Sequence, residues 1–367
     1  MWRAWRKAKN GSVGSGWQVT LYRDGRKFRA RATRRVRLPT VFCLDENLEK
    51  TLEVLVKVRR HVLSNATAEY QRQHEGRTEA KMPRRTMSYV DLSPVKQMGP
   101  SAALILAAIY DRAKHLTGAK LHTVDEHKWR PQTRSLLKSL GFHELLEIQK
   151  TSLELVKRTD IHIQKFTSGS LAEGEIADQL QSALANLLPQ DLSERLLFAE
   201  PYGGILEAIE NSYRWAYPDD ADWDFPPYKR WWLTGAVNLR TNQVTVVVYD
   251  QGVSIPVSLP HWQEWGVFER RARRLAARFG LTEPIDHPSN DGLALQLAMK
   301  IAKTRTGLPQ HGKGLHTMVE VAERARHCRL RIISRNGTYL WETGKPPQSF
   351  ANRNPLHGTL IEWLLDL

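Results

Sequence analysis

From Trp17 onward, apolar and polar residues alternate through WQVTLY, and β-compatible residues return in KFRARATRRVRL after Arg23-Asp24-Gly25. An Asp-Gly turn between two such runs predicts a β-hairpin. Period two would place Lys27, Arg29, Arg31 and Arg35 on one face. Two readings of that face stay open: a solvated edge strand guarded by charge, or a contact with phosphates or an acidic partner. The pattern then alternates between the two periods. VFCL reads as a short strand, Leu48 to about Asn65 as an amphipathic helix, and MSYVDLSPV as a strand. GPSAALILAAIYDRAKHL reads as a helix with Pro100 and Ser101 at its start. AKLHTVD is a further strand, PQTRSLLKSLGF a helix closed by Gly141, and FHELLEI a short strand.

EGEIADQLQSALANLL spaces Ile176, Leu180, Ala183, Leu184 and Leu187 as a helix does. After it come a helix in GGILEAIENSYRWAYP, a β-branched run ending in a turn in VTVVVYDQGVSIP, a Gly-rich turn opening a helix near Leu315 in HGKGLHTMVEVAE, and a closing strand in HGTLIEWLL. The expected organisation is a basic tail and hairpin (1–39), an α/β unit (40–149), a helical connector (150–198) and a second α/β unit (199–367). The fold class is α/β, of the α+β kind.

Charge changes this picture at one end. The chain of 367 residues carries a formal +15, yet residues 1–37 hold 12 Lys/Arg against the single acid Asp24. The excess therefore sits in one terminal segment, where nucleic acid or another polyanion could attach. Cys43 and Cys328 are too few for a disulfide framework or a structural zinc site, so a reducing, cytoplasmic setting is expected. No run of about 18 apolar residues suggests a membrane span. The first residues, MWRAWRKAKNGSVGSG, lack the apolar core of a secretory signal.

Four motifs carry candidate chemistry. Glu207 and Asn211 lie four apart on one helix, so they share a face one turn apart. A carboxylate there can orient or deprotonate a water, and an amide oxygen can ligate Mg2+. Asp250 ends a buried strand and can accept a hydrogen bond from a purine amine, with Gly252 permitting close approach. Gly312, Lys313 and Gly314 precede a helix start and suit a polyphosphate. Gly358 and Thr359 open the last strand, and the Thr359 hydroxyl can reach a base. The histidines His311, His316 and His327 have no carboxylate or Cys at metal spacing, and no P-loop or nucleophile elbow occurs.

Taken in order, Glu-x-x-x-Asn, Asp-x-Gly, Gly-x-Gly-Leu and Gly-Thr-strand resemble the nucleotide-binding domain of the GHKL superfamily. Residues 199–367 carry the likeness. It implies a Bergerat-type two-layer sandwich, a mixed sheet with helices on one face, and ATP with Mg2+. By motif, Glu207 would be the general base and Asn211 the Mg2+ ligand. Asp250 would recognise adenine with Thr359 assisting. Gly252, Ile255, Gly312, Gly314 and Leu315 would shape the pocket. Arg305 and Lys313 are the candidates for the γ-phosphate. The first box most resembles anti-sigma factor kinases, with Trp215 in place of the usual histidine and Ser254 in place of the second glycine of the Asp-x-Gly-x-Gly form. Between the boxes, FERRARRLAARFG clusters Arg270, Arg271, Arg273, Arg274 and Arg278, either as an exposed helix face or as a partner contact.

Residues 40–149 resemble a STAS domain, through VDLSPV, QMGPSAALILAA and LLKSLGFHELLEI. In that family a serine at the turn is phosphorylated. Here Ser101 lies near that place without the preceding acid, and helix capping is the preferred role. The expectation is an ATP-hydrolysing protein, of bacterial regulatory or phage-defence type, whose nucleotide state controls a protein partner or assembly. The alternatives are a serine/threonine kinase acting on a STAS partner, and an ATP-gated nucleic-acid regulator using residues 1–37. GHKL proteins often dimerise, so a homodimer is also anticipated.

Overall fold

The computed structural model describes residues 17–23, 26–74, 87–118, 122–148, 153, 155–156, 160–261, 265–279, 282–303 and 314–367. Strands β1 (Trp17–Arg23) and β2 (Arg26–Arg37) form the expected hairpin. Next come β3 (Val41–Phe42), α1 (Leu48–His74), β4 (Met87–Asp91), β5 (Gln97–Met98), α2 (Pro100–Thr117), β6 (Thr123–Val124), α3 (Pro131–Ser139) and α4 (Phe142–Leu145). The central stretch holds β7 (Ile161–Ile163), β8 (Thr167–Gly169), α5 (Gly174–Ala185), α6 (Gln190–Ala199) and α7 (Pro201–Trp215). The last part holds β9 (Trp231–Asn238), β10 (Gln243–Asp250), α8 (Ile255–Ser258), α9 (Trp265–Phe279), α10 (Asp291–Lys303), α11 (Gly314–Arg324), β11 (His327–Glu342) and β12 (Gln348–Asp366).

The fold is mixed α/β. Its centre is a six-stranded sheet in the order β11-β12-β10-β9-β7, with β8 also paired to β9 and every pairing antiparallel. A smaller sheet runs β4-β2-β1-β6, and β3 pairs with β5. Among the described residues, parallel pairing is confined to β2–β4 and β3–β5.

Alternation along the central strands sends side chains into two cores. Val244, Val246 and Val248 of β10 join Trp231, Leu233, Ile361 and Trp363 beneath α5, α7 and α11. Val247 and Tyr249 join Trp232, Ala236 and Leu360 on the other face, beneath α1 and α2. Helices thus cover both faces, where the sequence suggested one. The reason lies in α2: every residue from Ser101 to Ile109 is buried, and a helix apolar on all sides needs cover all round. Residues 40–149 and 199–367, separate units in the sequence reading, share this core.

Three local expectations change. FHELLEI is not a strand: Phe142, Leu145 and Leu146 are buried at i, i+3 and i+4, the spacing of helix α4. Ser101 does not cap α2. Gly99 occupies the cap position without a side-chain bond, and the Ser101 hydroxyl donates to the Glu362 carboxylate on β12. Arg35 leaves the basic face of β2. A register irregularity between Ala32 and Arg34 shifts the parity, so Arg35 pairs with the buried Tyr89 and lies 4.9 Å over the Trp17 ring.

Candidate functional site

Helix α7 begins where Glu200, at φ +52°, and Pro201 break the chain away from α6. Its stripe Gly203, Glu207, Asn211 repeats every four residues. Gly203 meets α11, where a Cβ at Gly203 would stand 3.5 Å from the Thr317 methyl. Glu207 and Asn211 are half-buried. Burial raises the Glu207 carboxyl above its ordinary range, Glu210 adds to the rise and Arg214 opposes it. The Asn211 Nδ2 is buried with no hydrogen-bond partner among the described residues.

The far end of α7 touches the turn after β10. Val253 N–H donates to Ala216 O at 2.8 Å. A Cβ on Gly252 would lie 2.3 Å from that same oxygen, so only glycine passes there. Asp250, 7 % exposed, accepts from Gly252 N–H at 2.8 Å and from the Thr359 backbone N–H. Burial nevertheless pushes its carboxyl up to about 7. Thr359 stands directly opposite Asp250 in the β10–β12 pair. The preceding Gly358, at φ +99°, brings the strands so close that a Cβ would lie 1.9 Å from Asp250 O.

Ser254 has φ +86° and ψ 156°. That region is populated almost only by glycine, and a side chain there is strained by about 1–3 kcal/mol. The following residue, Ile255, starts α8 and donates its N–H to Ser334 Oγ at 2.8 Å, which in turn bonds Thr359 Oγ1 at 2.8 Å. Ile255 and Leu315 of α11 are half-buried and pack against two apolar clusters at once, the sheet core and the one formed by α9 and α10.

The structure thus joins Glu207–Asn211, Asp250–Gly252–Ile255 and Thr359 through α7 and the turn, with Leu315 on the helix packed beside α7. Arg305, Gly312 and Lys313 lie outside the described residues. Of Gly314, only its place at the start of α11 is described. Four buried polar atoms without a partner among the described residues lie at this junction: Asn211 Nδ2, Ser212 Oγ, Gln251 Nε2 and Ser254 Oγ. An open groove of about 700 Å³ runs beside it, lined by Tyr213, Trp215, Tyr217, Arg230 and Trp231 among others. Of the expected site residues, none lines it.

Other parts of the junction were not apparent in the sequence. Tyr217, two residues beyond Trp215, accepts the Gln251 N–H on its hydroxyl at 2.9 Å. Arg112 of α2, 0 % exposed, donates to Gln251 Oε1 at 3.1 Å and to the carbonyls of Phe225 and Pro226. Burial lowers this guanidinium to about 10, so it remains a cation at neutral pH. Ser334 reaches Thr359 only through the β11–β12 register. None of these contacts has a local signal; each depends on tertiary pairing.

Among the described residues no group of three or more His, Cys, Asp and Glu side chains is arranged to hold a metal. Mg2+ asks less of a protein, one or two side chains with waters and phosphates completing the shell. Asn211 is half-buried and its Oδ1 is the atom that could enter such a shell, whereas its unpartnered Nδ2 is a donor and calls for an acceptor such as a phosphate oxygen. No helix among the described residues is long and apolar enough to cross a membrane. No family model, curated protein or solved structure matches this chain.

Proposed function

We propose that the chain is a GHKL-type ATPase that binds ATP where α7, the Asp250 turn and α11 meet. The observation that carries this reading is the set of unpartnered buried polar atoms at that junction. Each such group costs about 1–3 kcal/mol unless something bonds to it. Four of them beside the expected Glu-x-x-x-Asn and Asp-x-Gly residues favour a polar ligand there. A second support is Ser254, whose backbone has a glycine's conformation at the place where the GHKL motif has its second glycine.

In this reading Asp250 accepts from the adenine amine, with Thr359 beside it, and Gly252 lets the turn lie against the end of α7. Ile255 and Leu315 supply apolar wall. Asn211 would hold Mg2+, which when bound neutralises charge on the phosphates. Glu207 takes the proton of a water as the water oxygen bonds to the γ-phosphorus. The bond from that phosphorus to the bridging oxygen breaks, and ADP and phosphate leave. A carboxyl held above its ordinary range by burial is suited to receive that proton. Arg305, Gly312, Gly314 and Lys313 are assigned to the phosphates on motif alone.

Nucleotide state would reach a protein partner through α1 and α2, since Arg112 ties α2 to the turn. Residues 40–149, which resemble a STAS unit in sequence, are the part assigned to partner control. The chain's setting would be cytoplasmic, as the low cysteine count suggests.

The test measures ATP binding and turnover in the wild type, Glu207→Ala and Asp250→Asn. Glu207→Ala is expected to bind ATP with at least about 100-fold slower turnover, and Asp250→Asn to lose binding. A wild type with neither saturable ATP binding nor turnover overturns the reading.

A further inference from the structure

The hairpin at the start of the described chain carries a second, unrelated surface. Residues 26–37 hold seven cations and no acid. In the β1–β2 register Arg31 faces Gln18, Arg29 faces Thr20 and Lys27 faces Tyr22, so these three cations line one side of the sheet. All three are exposed. The opposite side carries Val19, Ala30 and Ala32, which pack with Tyr89 and Val124. Among the described residues, only Arg35 of the seven lies within ion-pair distance of a carboxylate, Asp91 at 3.7 Å. Lys27 lies 5.8 Å from the centre of the Tyr22 ring.

Such a row is regular. Two residues of strand advance about 6.8 Å, about twice the 3.4 Å axial spacing of charges on one strand of a duplex. Arg26, Arg34 and Arg37, also exposed, extend the charge along the same strand. Beside the row stand Gln18 and Thr20, with no exposed large apolar side chain between them. Protein–protein interfaces deplete charge at their centre and anchor on aromatic or aliphatic groups. Membrane-surface elements add apolar residues that insert. Nucleic-acid interfaces are polar and strongly basic, and arginine forks suit phosphate oxygens.

We infer that the Lys27–Arg29–Arg31 face of the hairpin is a docking surface for the phosphate backbone of nucleic acid, engaged without reading the base sequence. The basic helix α9 is the weaker candidate, because Glu269 pairs with Arg273 on its exposed side.

The experiment titrates the full-length chain, without nucleotide, against a labelled 20-base-pair duplex at several salt concentrations. The wild type is expected to bind at low salt and weaken steeply as salt rises. The triple variant Lys27→Gln/Arg29→Gln/Arg31→Gln is expected to lower the slope of log K against log salt by about 2.7, at about 0.9 for each phosphate contact. The charge-keeping variant Arg29→Lys/Arg31→Lys is expected to retain most of the binding. Failure of the wild type to bind, an unchanged slope in the triple variant, or loss of binding in the charge-keeping variant overturns the proposal. So does transfer of the loss to an Arg270→Gln/Arg273→Gln/Arg274→Gln variant, or binding to phosphatidylserine vesicles in place of duplex. Because ATP is absent from every arm, failure here leaves the ATPase reading untouched.

Discussion

Ser101, at the start of α2, donates its hydroxyl hydrogen bond to the carboxylate of Glu362 on β12, 261 residues further along the chain. Glu362 also accepts from Arg331, and Arg331 reaches Asp45 at 2.9 Å and Leu44 O at 3.0 Å. This set, buried except for Asp45, ties the N-terminal segment to the underside of the sheet. A serine so engaged is a structural link, and 3 % exposure leaves it closed to a kinase.

A carboxylate placed at Ser101 therefore meets another at Glu362. Ser101→Ala is expected to cost about 1 kcal/mol, the net worth of one hydrogen bond. Ser101→Asp should cost about 3 kcal/mol or more, because a second buried charge has no partner of its own. Urea denaturation of the two variants checks this. Equal midpoints would show that the site tolerates the charge.

Ser254 and Gly358 should respond in opposite senses. Ser254→Gly is expected to stabilise by about 1 kcal/mol, since the backbone there belongs to glycine's region. Gly358→Ala is expected to destabilise by about 3 kcal/mol or more, from its positive φ and the collision with Asp250 O. Thermal unfolding of both variants decides the matter, and a Ser254→Gly protein that melts lower would refute the strain.

Asp250 predicts a pH dependence. Its folded carboxyl titrates at about 7, against about 3.9 in an unfolded chain. Below about pH 4 both states hold the proton, and the group contributes nothing to the slope. Between about pH 4 and pH 7 the unfolded state releases the proton while the folded state keeps it. Stability therefore falls as pH rises through this window, approaching about 1.4 kcal/mol per pH unit from this group, and levels off above it. Asp250→Asn should remove this contribution, seen as a flatter plot of unfolding free energy between pH 4 and pH 7.

Arg112→Met tests the link between α2 and the turn. It keeps the bulk of the side chain but leaves Gln251 Oε1 and the Phe225 and Pro226 carbonyls without their donor. The expected loss is about 3 kcal/mol of stability and, on the proposed function, a weaker apparent affinity for ATP. Isothermal titration of ATP into the folded variant checks the second part. An unchanged affinity would mean that Arg112 only supports the core.

Much of the architecture is legible in the sequence where periodicity is long. The hairpin, α2, α5, α7 and β10 stand where the pattern puts them. The unbroken run Val246–Tyr249 also signals burial on both faces of the sheet, which is why helices from the first half are needed there. Short segments mislead: in FHELLEI the buried spacing is helical, yet four to seven residues fit either period. The bulge after Ala32 is invisible because each neighbouring residue is compatible with a strand. At the candidate site, Glu207, Asn211, Asp250 and Thr359 are recognisable by spacing. Arg112, Tyr217 and Ser334 are not, since long-range pairing alone brings them in. Ser254 shows a third kind of limit, where the residue's identity conceals the backbone it adopts.

The shared core also governs how the molecule can be dissected. A fragment of residues 199–367 alone would lay bare Trp232, Val247, Tyr249 and Leu360, a wall now roofed by α1 and α2. Such a piece would clump rather than dissolve, whatever its motifs. The smallest workable unit for biochemistry must therefore carry both long N-terminal helices, and the C-terminal half could stand alone only if that wall were repainted with polar residues.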